Sequence, residues 1–273
     1  MSDVAIGGTV AVLTYHSVAA ATTPTFRRLT VEPSLFDEHL AALRQEQADV
    51  IAFSEVPAAL AGGRRAVAIT IDDGLADAGE LACPALARHG LTATLFVPTA
   101  FVGATASWLG GEDGRRPMLS WAGLGDLARA GFEIGSHSNR HLAADLNPPG
   151  LVRRDALVSR AELEKHLGRP ALSFAYPFGY HSPGGRRAVR EAGFDQACVV
   201  GDLPARAGDD RWALPRLQVN GGTTPEELLA MIRWLPSAAE RGWAHLKQRA
   251  WQAGRRLGAF GPPEARRTPE MAR

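Results

Sequence analysis

Short apolar runs alternate along this chain with longer stretches in which apolar residues recur every three or four positions. The runs have strand character and cover residues 9–18, 49–53, 67–71, 91–97, 132–135, 171–176, 196–200 and 214–219. Helical spacing is carried by residues 33–45, 76–89, 120–130, 151–167 and 184–192. Ser34 and Ser120 stand where N-caps are expected, and Gly90, Gly168 and Gly193 where helices stop. Pro215 marks the last strand as an edge or irregular one. Strand and helix alternate about seven times without a break in composition, which predicts parallel β/α units. Residues 103–117 are rich in glycine and proline and carry Trp108. A long loop of this kind inside a compact domain is expected to act as a lid.

The polar residues are not scattered. The first run ends in Tyr15-His16-Ser17, the third in Asp72-Asp73-Gly74, and residues 132–135 run into Ser136-His137-Ser138-Asn139-Arg140-His141. In α/β folds the carboxyl ends of strands are where active sites gather. Alone, Asp72-Asp73-Gly74 also reads as a turn that caps the next helix. His137 and His141 change that reading. One helical turn there would aim both imidazoles the same way, as two ligands of one metal require. A third ligand from a carboxylate leaves a position open for water. The set suits zinc or another divalent first-row metal, which brings the pKa of bound water toward neutrality. A second carboxylate can then serve as general base. Neighbouring residues at a strand end point different ways, so Asp72 and Asp73 can divide the two tasks.

Composition narrows the class. Hydrophobic residues make up 45% and charged residues 22%, ordinary for a soluble globular protein. A net charge of +1 gives no ground for nucleic-acid binding. Cys83 and Cys198 are too few for a disulfide framework and read as reduced, partly buried thiols. No apolar stretch reaches membrane-spanning length, and the amino terminus lacks a basic region and a long apolar core, so a cytoplasmic location is expected. Between Arg233 and Arg267 stand eight Lys/Arg against two acids, with Trp234, Trp243 and Trp251 among them. The favoured expectation is a terminal helix that packs its tryptophans on the barrel and turns a basic face to solvent. Peripheral contact with an anionic membrane surface, or with a partner, is the other use of such a segment. The last dozen residues are expected to be disordered.

In combination and order, Thr70-Ile71-Asp72-Asp73-Gly74, the segment His137 to His141, and Phe174-Ala175-Tyr176-Pro177-Phe178-Gly179 resemble the motifs of the polysaccharide deacetylases, carbohydrate esterase family 4. Leu13 to Val18 and Leu119-Ser120-Trp121 resemble the bacterial branch. The resemblance implies an α/β fold, a distorted (β/α)7-type barrel within residues 1–222; the basic, Trp-bearing segment over 223–273 is expected to form a helical extension. It implies metal-dependent removal of an N-acetyl group from an amino sugar. Asp72 would be the general base, and Asp73, His137 and His141 the ligands of a divalent metal, zinc first, with cobalt, nickel or manganese as others. The Phe178 backbone N–H would face the developing oxyanion. Ser138 would orient the ligand loop. Substrate contacts are expected from Tyr176, Pro177, Gly179, His181 and Trp108, with Pro177 stiffening the loop and Gly179 letting it turn near the substrate.

Two positions depart from the pattern. Ala175 stands where many members carry an arginine paired with the base, and Arg216 is the candidate replacement. The late Leu-x-His motif that supplies an acid is absent. His16, held by a strand end, is preferred for that role over His181 in a Gly/Pro-rich loop. His89, His166 and His245 read as surface residues. A formyl group on a lipid-linked amino sugar is an alternative substrate. A catalytically silent carbohydrate-binding relative is the alternative from another class, disfavoured by the complete Asp72, Asp73, His137, His141 set.

Overall fold

The structure, a computed structural model, describes residues 8–257. The expected disordered tail lies outside them. Seven parallel strands form the barrel: β1 Thr9–Tyr15, β2 Arg65–Ile71, β3 Thr94–Val97, β4 Glu133–Ser136, β5 Ser173–Ala175, β6 Gln196–Val200 and β7 Leu214–Gln218. The order is β1-β7-β6-β5-β4-β3-β2, and β1 pairs with β2 to close the ring. The closure is uneven. Val50–Ile51 inserts beside the early part of β2, and Ala205–Arg206 runs antiparallel to the start of β1. β6 and β7 pair along three residues, while β7 meets β1 only at Leu217 and Gln218.

That last pairing settles the expectation for Pro215: the strand is irregular but not an edge. β7 is an interior strand of the closed ring, and Pro215 precedes the point where β7 meets β1. A missing N–H is tolerated there because no β1 partner is yet alongside.

Strand parity sorts the barrel. Val10, Val12, Ala66, Ala68, Phe96, Ala175, Cys198 and Leu214 share one apolar cluster, which fills the lumen. The alternate residues Ala11, Leu13, Tyr15, Val67, Ile69 and Ile71 join a second cluster, under the helices. Ala66, Ala68, Ala175 and Cys198 are small, leaving room for Phe96. The same parity carries Thr70 and Asp72 on from Ala66 and Ala68, and Arg216 on from Leu214.

The helices follow as α1 Pro33–Gln45, α2 Val56–Ala61, α3 Cys83–Arg88, α4 Trp121–Arg129, α5 Pro149–Leu167, α6 Pro183–Glu191, α7 Pro225–Arg233 and α8 Ala238–Arg256. Ser120 caps α4 by accepting from Gly123 N, as expected. Ser34 does not cap α1: Pro33 takes the first helical position and Glu32 precedes it. The helix expected over residues 76–89 splits into a π turn at Ala78–Ala82 and α3, with Cys83-Pro84 at the join. Pro84 has no N–H for the i→i−4 bond, so the preceding turn widens.

α8 overturns the favoured expectation for the C-terminal segment. Trp234, Trp243 and Trp251 are 36, 60 and 42% exposed, while Arg241 and Arg255 are buried. Arg241 and Arg255 face the barrel and Trp243 does not, while Trp251, partly exposed, keeps a side-chain hydrogen bond with Tyr180. Both cysteines are free and buried.

Candidate active site

The strand ends level the site residues. β1 and β2 pair in register from Thr9↔Arg65 to Tyr15↔Ile71, so His16 and Asp72 leave the barrel together. Asp72 N donates to Tyr15 O at 2.9 Å. Val97 pairs with Ser136, which brings His137 to the same rim. The run expected over residues 9–18 breaks at His16, because Ser17–Val18 leave to pair with Thr30–Val31.

The two neighbouring aspartates have different partners. Arg216 Nη1 and Nη2 donate to Asp72 Oδ1 and Oδ2, each at 2.7 Å, and Nη1 also donates to Thr70 Oγ1 at 3.1 Å. Both side chains are buried, so the pair closes the top of the lumen above Phe96. Arg216 thus meets Asp72 from β7, two strands along the ring from Ala175 on β5. Burial is the largest influence and would raise the Asp72 carboxyl, but the Arg216 charge and hydrogen bonds, with His137 and His16, together outweigh it and hold the group below the ordinary carboxylate range.

Asp73 takes φ 72°, which turns its side chain toward the histidines. Asp73 Oδ1 lies 3.3 Å from His141 Nε2 and 3.6 Å from His137 Nε2. Two metal–ligand bonds of about 2.1 Å at a tetrahedral angle set donor atoms roughly 3.4 Å apart, so this donor set fits one zinc-sized ion. The three ligand atoms lie within 4.8 Å of one another. His137 Nδ1, at 2.9 Å from Ala175 O, is placed to donate there, which leaves Nε2 as the lone-pair nitrogen. Burial depresses His137 to about 4, so it is neutral and able to ligate at pH 7.

The histidine loop is not the helical turn the spacing suggests. Ser138 and His141 have φ 64° and 54°. Of the six non-glycine residues with positive φ among those described, Asp73, Ser138, His141 and Phe178 belong to this site. Such conformations cost energy and persist where surroundings enforce them. Asp155 on α5 enforces this one by accepting from Asn139 N at 2.7 Å and Arg140 N at 3.2 Å. Ser138 Oγ accepts from Leu142 N, in line with its expected orienting task. The sequence reading missed Asp155. Its signal was an acid on the inward face of α5, between Val152, Ala156 and Ser159.

The loop carrying Trp108 is pinned. Thr23 and Thr25 donate to Asp113, Arg116 bonds Asp113 and Thr22, and Ala106 packs with Phe26, Leu75 and Met118. Trp108 stacks on His141 with ring centroids 5.0 Å apart. It is a fixed wall of the site rather than a loose lid. Phe178 sits edge-on to His141 at 4.8 Å, in a left-handed conformation (φ 62°).

Other expected contacts fall elsewhere. Tyr176 is wholly buried and its hydroxyl donates to Trp212 O, so it packs the core. Pro177 is buried. Gly179, at φ 79°, turns close to Val200, where any Cβ would collide, and not toward a substrate. His181 packs on Tyr176 at 4.9 Å with Nδ1 near Ser182 O, away from the aspartates. His16, by contrast, acts electrostatically on both Asp72 and Asp73.

The closed parallel barrel, with acids and imidazoles converging on its carboxyl rim, is a (β/α)7 scaffold with a candidate metal-binding rim. The family model for polysaccharide deacetylase matches residues 60–197, and the chain belongs to that family. YxkH of Bacillus subtilis (strain 168), a candidate polysaccharide deacetylase, is 22% identical over 225 residues, 81% of this chain and 75% of that one. The Streptococcus pyogenes deacetylase PplD, solved with acetate, is similar in fold at TM-score 0.74 and 21% identity, over 84% of this chain and 100% of that one. IcaB from Ammonifex degensii gives TM-score 0.70 and 24% identity, over 84% of this chain and 99% of the other.

Proposed function

We propose that this chain is a divalent-metal-dependent hydrolase that removes an N-acetyl group from an amino sugar, giving acetate and the free amine. The carrying observation is the convergence of Asp73, His137 and His141 beside an Asp72 paired separately with Arg216. Asp73 Oδ1 and the two Nε2 atoms would hold the ion. Zinc matches that donor set best, and cobalt, nickel or manganese also fit it. The ion supplies Lewis acidity, acidifying water and polarising the amide carbonyl.

The chain's own groups do the rest. Asp72, kept ionised by Arg216, accepts the proton of the attacking water. An arginine-paired carboxylate is a weak base, suited to a water that is already acidified. The Phe178 N–H donates to the oxygen that gains charge when the carbonyl becomes tetrahedral. His16 returns a proton to the leaving amine nitrogen as the carbon–nitrogen bond breaks. Trp108, stacked on His141, keeps water from one side.

Acetate release from N-acetylated sugars on addition of divalent metal tests the reaction. Asp72→Asn is expected to keep the metal and lose about 10²–10⁴-fold in rate, whereas His137→Ala and His141→Ala lose the metal. Full metal occupancy in either histidine variant, or normal turnover in Asp72→Asn, overturns the assignment. An alkaline limb of the pH–rate profile that is unchanged in His16→Ala removes His16 as the acid.

A further inference from the structure

α8 turns its polar face to the protein and its apolar face to the outside. Arg241, Gln248 and Arg255 recur every seventh residue along the inner face. Arg241 donates to Pro204 O and Asp209, Gln248 to Val200 O, and Arg255 through Nε to Asp145 Oδ2. At 100° per residue the opposite face carries Trp243, Leu246, Ala250 and Leu257. Trp243, Leu246 and Leu257 are 60, 57 and 85% exposed. A soluble surface helix has the reverse arrangement.

The charges beside this stripe have one sign. Lys247 flanks it on one side, Arg249 and Arg256 on the other, all exposed. The acid of α8, Glu240, is occupied at the helix start by Ser237. We propose that α8 is a lipid-surface helix. Its outward stripe lies in the headgroup layer of an anionic membrane, with Lys247, Arg249 and Arg256 against lipid phosphates. A second copy of the chain is a poorer occupant. Side-by-side packing along the stripe sets the basic flanks of one copy, Lys247, Arg249 and Arg256, near those of the other. No helix among the described residues is long and apolar enough to cross a membrane, so the contact is peripheral.

The same helix forms part of the site's surroundings. Arg255 lies over the rings of Tyr180 and Phe178 at 4.8 and 5.7 Å. Seating α8 on lipid therefore brings the active-site rim to the membrane surface. Resting on the deacetylase reading above, the substrate class is an amino sugar carried by a lipid.

Co-sedimentation of the full chain with vesicles of phosphatidylcholine plus phosphatidylglycerol, against phosphatidylcholine alone, tests the docking. Binding to the anionic vesicles is expected. It should weaken roughly tenfold or more in Trp243→Glu/Leu246→Glu, and with added salt in the parent chain. Circular dichroism and turnover of a water-soluble N-acetylated sugar should stay unchanged in that variant, which separates lost docking from lost folding. Absence of vesicle binding, binding indifferent to the double substitution, or a concentration-dependent dimer abolished by it each overturns the proposal. If the parent chain binds vesicles but releases no acetate from any sugar, the deacetylase reading falls and the docking stands. If it turns over soluble sugars but ignores vesicles, the reverse holds.

Discussion

Two buried arginine–carboxylate pairs stand at the barrel mouth, and they are built differently. Arg216 grips both oxygens of Asp72 through two nitrogens and adds Thr70, leaving its Nε as the orphan donor. Arg255 reaches Asp145 through one bond, and both partners keep an orphan: Asp145 Oδ1 and Arg255 Nη2. The fork on Asp72 fixes the orientation of the carboxylate that we propose takes the proton. The single bond on Asp145 joins a helix to the barrel, and ring contacts with Tyr180 and Phe178 share that task. Two-point pairing therefore belongs where direction matters, and one-point pairing where attachment suffices.

The sharpest way to break this comparison is Arg216→Met. It strands Asp72 as an uncompensated buried charge, with an expected cost of about 3–5 kcal/mol. Denaturant unfolding reads the loss. In the folded fraction the acid limb of the pH–rate profile should move up, because Asp72 loses the charge that kept its pKa low. A loss below about 1 kcal/mol would mean that the pair is not buried as described.

Acid stability is next in size. His137, depressed to about 4 by burial, is below its ordinary value. The unfolded chain then binds more protons between the two values. Stability is full above about 6.5 and is lost as pH falls toward 4, by up to about 3 kcal/mol in the metal-free chain. Asp73 acts in the same direction but lower, mostly below about pH 4: burial would raise it, yet the His141 hydrogen bond and the neighbouring histidine charges hold it below the usual carboxylate range. Thermal unfolding between pH 7 and 4 measures this, and His137→Asn should flatten the slope.

Arg255→Met leaves the buried Asp145 carboxylate without its charged partner and is expected to cost about 3 kcal/mol. Joint replacement of Asp145 and Arg255 by Leu and Met should recover most of that. Joint replacement of Asp72 and Arg216 can restore stability but never turnover, and this contrast separates an attaching pair from a reacting one.

The smallest expected effect lies behind His16. Asp77 accepts from Ser17 Oγ at 2.7 Å, and burial raises it to about 6. A raised carboxyl favours the folded state at low pH, and that contribution fades as pH rises through 6. Asp77→Asn should therefore stabilise the protein at pH 7 by on the order of 1 kcal/mol and leave it unchanged near pH 4, as urea titrations at the two values would show.

Much of this was legible locally. Apolar runs, glycine stops and polar strand ends are short-range signals, and they placed the barrel strands and the Asp72, Asp73, His137 and His141 set on one rim. Arg216 was legible as a candidate because it stands near the end of the last strand, though its partner lies 144 residues away in sequence. Asp155 was missed because an acid in an amphipathic helix looks solvated until the loop it holds is known, and Asp145 because its partner Arg255 comes 110 residues later, from α8. Tyr176 looked like a substrate contact because it adjoins the Pro177 turn, but strand parity places it with the core cluster under the helices. The sequence by itself determined the period of each element and the residue types at each strand end, because both follow from neighbours along the chain. Which face of α8 turned inward, which oxygen each arginine met, and how Asp73 left its strand were decided by tertiary structure. Those choices depend on what stands across the barrel mouth, and no local pattern contains it.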